Sequence, residues 1–197
     1  MSESWFANMQ REAARDPRII ARKEMIRDIV TVTEPTRVVP IADIDEFKPG
    51  RAAAGEVILV SQGGMKSTET KPIRTDNASA CNIFLIKSTS PDAEPTYSLM
   101  HVWAGDLDLN HPGARREDIK AKMRPNDEAI AITGGSSSPF ELTAYQLRDM
   151  GVRTKTHIAV PSGRQYVSAV FRPLTNEIVV RIGSDSDATE AYVYEGF

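Results

Sequence analysis

The sequence predicts a mixed α/β or α+β domain in which short strands outnumber helices. From residue 57 onward, short apolar runs recur between turns rich in Gly, Pro, Asn and Ser. Only residues 16–30 and 139–150 combine helical apolar spacing with start or stop signals. At 197 residues, 41% hydrophobic and 26% charged, the chain can bury a sizeable core and is not a disordered tail.

In chain order, Trp5, Phe6 and Met9 suggest a short first helix. Asp16-Pro17 is a good start for a second, because proline is tolerated in a first turn. Ile19, Met25, Ile26, Ile29 and Val30 then fall on one broad face of it. Pro35, Pro40, Pro49 and Gly50 read as a connection, so residues 1–52 are expected to be a helical extension and linker, with the main domain spanning 53–197. Within that domain, Val57–Val60 and Ile83–Ile86 are apolar runs, the second apolar on both faces and therefore expected between two layers. Tyr97–Trp103 and Ala129–Thr133 follow as strands, and Gly113–Met123 as a polar helix at best. Gly134-Gly135 leads to a helix over Pro139–Met150, with Ser138 and Glu141 as capping box, Phe140, Ala144 and Leu147 as buried stripe, and Gly151 as its close. Strands at Thr154–Val160, Gln165–Arg172 and Glu177–Ile182 read as an antiparallel meander, and Ser184–Thr189 as a polar tail.

Composition excludes several function classes. With 24 Lys+Arg against 27 Asp+Glu, the formal charge of −3 gives no support to a nucleic-acid surface or a polybasic membrane patch. One cysteine and three scattered histidines speak against a zinc site, and no cofactor is expected. Asp106 and Asp108 lack a calcium loop and read as solvated. No secretory signal and no membrane span are recognisable, so synthesis in the cytosol is expected, with delivery elsewhere without a cleaved signal left open.

Attention therefore falls on the thiol. A lone cysteine beside a strand is commonly a small buried hydrophobe. Cys81, however, stands where a polar loop enters an apolar strand, and the small residues Ala78, Ser79 and Ala80 leave backbone N–H groups accessible to a developing oxyanion. A nucleophilic cysteine needs a base. A hairpin turning at Ser90–Pro95 would bring His101 about level with Cys81. His111 reads as a surface-loop residue and His157 as exposed. Gly134-Gly135 could hold an anion at a helix N-terminus, although the Lys and Ser/Thr of a nucleotide loop are missing.

In this order, Gly64-Met65-Lys66-Ser67, Thr75, Cys81, Met100-His101-Val102, Ile132–Ser137, Leu147–Val152 and the Ser162–Arg181 hairpin resemble the chemoreceptor glutamine deamidases of the CheD family. They also resemble the wider group of Cys–His deamidase toxins that includes cytotoxic necrotizing factor. The likeness covers about residues 55 to 183 and departs at Asn77–Ala80, where the family usually carries Gly-Ser before the cysteine. The resemblance implies a layered α/β/β sandwich of mixed, mostly antiparallel strands, and a Cys81–His101–Thr75 triad in which Thr75 holds the histidine ring. It implies hydrolysis of a glutamine side chain on a protein substrate, with Ser79, Ala80, Gly134 and Gly135 around the oxyanion and substrate loop and no cofactor. The added segments at either end suit a divergent, effector-like member, such as a bacterial toxin. Two alternatives stand beside it: an inactive protein-binding module on the same fold, and a Cys–His site performing transglutamination or proteolysis.

Overall fold

A computed structural model describes residues 17–48, 50–107, 115–134, 140–160, 166–183 and 187–197. Their regular structure is mostly strands in two mixed sheets, with few helices. The strands are β1 (Val30–Val32), β2 (Arg37–Pro40), β3 (Ile58–Val60), β4 (Gly64–Thr68), β5 (Ile73–Ala78) and β6 (Asn82–Ser90), followed by β7 (Ala93–Val102), β8 (Glu128–Thr133), β9 (Arg153–Ala159), β10 (Val167–Arg172), β11 (Glu177–Ile182) and β12 (Glu190–Glu195). The helices are α1 (Pro17–Arg27), α2 (Arg116–Lys120) and α3 (Phe140–Arg148). The first sheet runs β1-β9-β8-β6-β7-β4 and the second β2-β12-β11-β10-β5-β3. Most pairings are antiparallel; β1/β9, β3/β5 and β8/β9 are parallel.

Alternation of side chains along each strand divides the interior. Ile83, Leu85, Leu99, Ile130, Ile132 and Ile158 of the first sheet share one apolar cluster with Ile73, Ala169, Phe171, Ile178 and Val180 of the second. The intervening residues Phe84, Ile86, Met100, Val102, Ala129 and Ala131 face the other way and pack with Ala144 and Leu147 of α3. This is why Ile83–Ile86 is apolar on both faces, as expected of a strand between layers. The outer face of the second sheet is covered by Ile44 and Phe47 over Val170, Val179, Ala191 and Val193.

Several expectations need correction. Residues 30–47 are not a linker. The β-branched runs Val30–Val32 and Arg37–Pro40 form an edge strand on each sheet, positions where Pro40 is tolerated. The following turn is fastened by Glu46, which accepts two hydrogen bonds from Arg172 at 2.6 and 2.7 Å. The N-terminal helical extension is therefore not found as such: among the described residues one helix, α1, precedes β1, with Met25 packed on the helix-side cluster. The Trp5–Met9 helix lies outside the described residues.

The three-stranded meander is also wrong. β8, α3 and β9 form a crossover unit, and a helix between two strands of one sheet returns the second parallel to the first. β9 thus belongs to the first sheet, and only β10 and β11 form the expected hairpin in the second. Beyond residue 189 the chain does not trail away: β12 pairs with β11 and β2. Helix α3 closes as expected, with Val152 N–H bonded to Leu147 O at 3.0 Å and Gly151 N–H to Arg148 O at 2.9 Å. Ser138 of its capping box lies outside the described residues.

Candidate active site

The two sheets are joined at one end by two short crossings, Ser61–Gly63 between β3 and β4 and Ser79–Cys81 between β5 and β6. Every sequence-predicted site residue that is described gathers at this end. Cys81 lies in the second crossing and is 6% exposed, with its side chain in the cluster between the sheets. β6 and β7 pair Ile83 with His101 and Asn82 with Val102. Continued by one pair, this register sets Cys81 opposite Trp103, two residues from the expected partner. The bulge between Ser88 and Ser90 contributes to that slip. A slip of two preserves the face, so Cys81 and His101 are diagonal neighbours on the same side of the sheet.

Thr75 belongs to the opposing sheet. Its hydroxyl lies 2.8 Å from His101 Nδ1 and donates to Val60 O at 2.9 Å. The hydroxyl has one proton, and a carbonyl can only accept it. His101 therefore donates from Nδ1, and Nε2 of the neutral ring is the basic nitrogen. Thr75 is fully buried and His101 is 3% exposed; Nε2 has no hydrogen-bond partner among the described residues. Leaving a buried acceptor unpaired costs about 1–3 kcal/mol, so this imidazole is expensive as a mere packing residue.

Electrostatics set the resting protonation. Burial lowers the His101 pKa, an effect that the nearby Asp106 and Asp76 carboxylates oppose. Burial, reinforced by Asp106, raises the Cys81 pKa, whereas a hydrogen bond from Gln62 lowers it. Near neutral pH Cys81 is thus a thiol and His101 a neutral imidazole, and the thiol must lose its proton before sulfur can attack.

The surrounding backbone is fixed by local sequence. Asn77 adopts the left-handed conformation (φ 57°), which Asn tolerates, and its N–H bonds to Ser168 Oγ at 3.1 Å. Ser79 is half-buried and Ala80 exposed in the crossing that ends at the thiol. The β6/β8 register, which pairs Ile83 with Ile132, continues to set Gly134 opposite Cys81. Gly135 lies outside the described residues, as does His111.

Three contributors were not foreseen: the Val60 carbonyl, Gln62 and Asp106. Asp106 is not simply solvated, for it accepts a hydrogen bond from Trp103 N–H at 2.8 Å and its charge is felt by both Cys81 and His101. Its position three residues beyond Trp103 is a turn signal that could have been read. His157 is also not exposed. It is buried on the helix side of the first sheet, 2.7 Å from Thr133 Oγ1 and stacked on Phe140.

A recess of about 770 Å³ lies away from the thiol, bordered by α1 and the segment after α3. Its walls mix Glu24, Asp28 and Glu128 with Arg27, Arg148, Arg153 and Lys155, so no single charge of ligand is favoured. No group of three or more metal-ligating side chains occurs among the described residues. No described helix is long and apolar enough to cross a membrane. No protein-family model matches this chain, and no curated protein matches it either.

Proposed function

We propose that the chain is a cysteine-dependent hydrolase that deamidates a glutamine side chain of a target protein to glutamate. The observation that carries this reading is the 2.8 Å contact between Thr75 and His101 Nδ1, which leaves a buried Nε2, without a partner among the described residues, on the same face as the single cysteine. The two sheets and the helix packed outside the first are in keeping with the α/β/β layering that the CheD-like resemblance implies. The effector-like role rests on that resemblance alone.

In this reaction the thiol proton passes to His101 Nε2 as Cys81 Sγ bonds to the carboxamide carbon. In this reading, backbone N–H groups near Ala80 and Cys81 stabilise the developing oxyanion. The C–N bond then breaks, and His101 returns the proton to the leaving nitrogen, which departs as ammonia. Water attacks the thioester, giving one proton to Nε2; the C–S bond breaks, and that proton returns to the sulfur. No cofactor is required. Thr75 keeps the ring in the tautomer and orientation that both proton transfers need.

Intact-protein mass spectrometry of candidate lysates, treated with wild type or Cys81→Ser, tests the proposal. The expected result is an amide-to-acid mass gain on a target protein with wild type only, without backbone cleavage or amine incorporation. Cleavage or an amine adduct would redirect the reading to proteolysis or transglutamination. A second reading, an inactive binding module on the same fold, is favoured by the burial and the Asp106 charge that hold the thiol protonated. It requires Cys81 to react with thiol probes no faster than the unfolded chain does.

A further inference from the structure

The crossing between β3 and β4 places a polar side chain on the sulfur that the Cys–His–Thr arrangement does not use. Gln62 is exposed, yet its Nε2 donates to Cys81 Sγ at 3.5 Å. The backbone beneath it is tightly specified. Ser61–Gly64 is a β-turn closed by Gly64 N–H to Ser61 O at 2.9 Å, with Gln62 at its first corner and Gly63 (φ 70°) at its second. A positive φ at that second corner is the type II requirement that glycine meets. A Cβ at Gly64 would stand 2.8 Å from Ser61 O, so the closing position is also restricted to glycine.

The turn is anchored to the strand that carries the base. Gly63 N–H donates to His101 O at 2.7 Å, and β4 pairs Gly64 directly with His101. On its outer side, Arg115 Nη1 donates to Gly63 O at 2.7 Å. Gln62 therefore projects from a pinned corner, exposed as a residue yet with its carboxamide on the sulfur. A solvated glutamine on a mobile loop would gain little from so weak an acceptor as a neutral thiol. Against a thiolate the same N–H becomes a charge-assisted donor, which is stronger.

We propose that Gln62 is a catalytic residue of this site, whose side-chain N–H stabilises the Cys81 thiolate as the sulfur gives its proton to His101. The proposal rests on the reading of Cys81 as the nucleophile. It deepens that reading by assigning the thiolate a dedicated hydrogen-bond donor, since Asp106 acts in the opposite sense and His101 must remain free to accept the proton.

The test is the pH profile of Cys81 alkylation by iodoacetamide, measured on the full chain for wild type, Gln62→Met, Gln62→Glu and Gln62→Lys. His101, Asp106, Asp76 and Arg115, the titratable and charged groups nearest the sulfur, its base and this turn, are unchanged in all four, and only Gln62→Glu and Gln62→Lys add a charge at position 62. Gln62→Met is the decisive variant, because it keeps length and neutrality and removes the carboxamide whose N–H donates to the sulfur. It is expected to alkylate about tenfold more slowly at pH 7, with the midpoint of the profile raised by about one pH unit, the size of one hydrogen bond to a charged group. Gln62→Glu should be slower still, and Gln62→Lys should bring the midpoint below that of Gln62→Met. Because residue 62 is exposed, thermal unfolding midpoints should match wild type, and equal midpoints confirm that the fold is kept. Rates for Gln62→Met within twofold of wild type, with an unchanged midpoint, would overturn the proposal. Ammonia release by the wild-type chain is scored separately. A chain that shows the Gln62 effect but releases no ammonia from any glutamine-bearing protein would keep this inference and lose the deamidase reading.

Discussion

Two buried histidines, each against a threonine, sit on opposite faces of the same sheet. His101 meets Thr75 through Nδ1 at 2.8 Å, and His157 meets Thr133 through Nε2 at 2.7 Å. Burial lowers the pKa of both. Their surroundings differ. His157 stacks on Phe140 with ring centroids 3.8 Å apart, and the chain's single thiol is on the other face. His101 keeps a buried Nε2 without a partner among the described residues and shares its face with Cys81. Burial and a hydroxyl partner therefore do not identify a reactive histidine; the nitrogen left over, and what lies beside it, do.

The comparison breaks most visibly in turnover. Cys81→Ser and His101→Ala should each reduce glutamine hydrolysis by about a thousandfold or more, the usual order for losing a nucleophile or its base. His157→Ala should alter it by no more than about threefold, since it touches no reacting atom. Ammonia release under saturating substrate reads this directly, and equal losses in His101→Ala and His157→Ala would erase the distinction.

The threonines come next. Thr75→Val should cost roughly 10- to 100-fold in kcat, in line with outer partners that orient a functional histidine, while Thr75→Ser should recover most of it. Thr133→Val should leave kcat alone. Each valine variant leaves a buried polar group unsatisfied and should lose about 1–3 kcal/mol in urea unfolding, so stability alone will not separate them.

Acid should act on both histidines in the same direction. In the unfolded chain a histidine titrates near 6.5, and in the fold both are held below that value. The unfolded state thus binds more protons as pH falls, so the stability associated with neutral His101 and His157 is complete above about pH 6.5 and declines below it until the folded rings titrate. Unfolding midpoints between pH 7.5 and pH 5, at roughly half-unit steps, should flatten for His101→Gln and again for His157→Gln. A profile as steep in the double variant as in wild type would assign the acid sensitivity elsewhere.

The smallest effect separates the two sites by charge. Asp106 acts on Cys81 and His101, whereas Glu141 acts on His157. Asp106→Asn keeps an acceptor for Trp103 N–H and removes the negative charge that raises the thiol. It should speed iodoacetamide labelling of Cys81 by about two- to fivefold near pH 7, whereas Glu141→Gln should not change it.

The sequence made the thiol legible because Cys81 is alone and stands at the edge of an apolar strand. It placed His101 on the correct face, because side-chain parity survives a register error of two residues. Gln62 was not legible, since a glutamine before two glycines signals only a turn; its function depends on where β3 leaves one sheet and β4 enters the other. His157 was misjudged for a related reason. Lys155, Thr156 and His157 look like a half-exposed strand until β9 is recognised as an inner strand between β1 and β8. The segment 30–47 was likewise hidden, because its prolines suggest a connection while its two short strands find partners only in distant parts of the chain.

By itself the sequence determined the strand-rich composition, the continuous apolar run that makes β6 a central strand, the closure of α3 at Gly151 and the single possible thiol nucleophile. These follow from local periodicity, turn chemistry and residue counts, which act over a few neighbouring residues. Tertiary structure alone decided which sheet each strand joins. It also set the Thr75–His101 contact across the two sheets and the return of Gln62 onto the sulfur. Those depend on pairings between residues far apart in the chain, whose geometry no local pattern encodes.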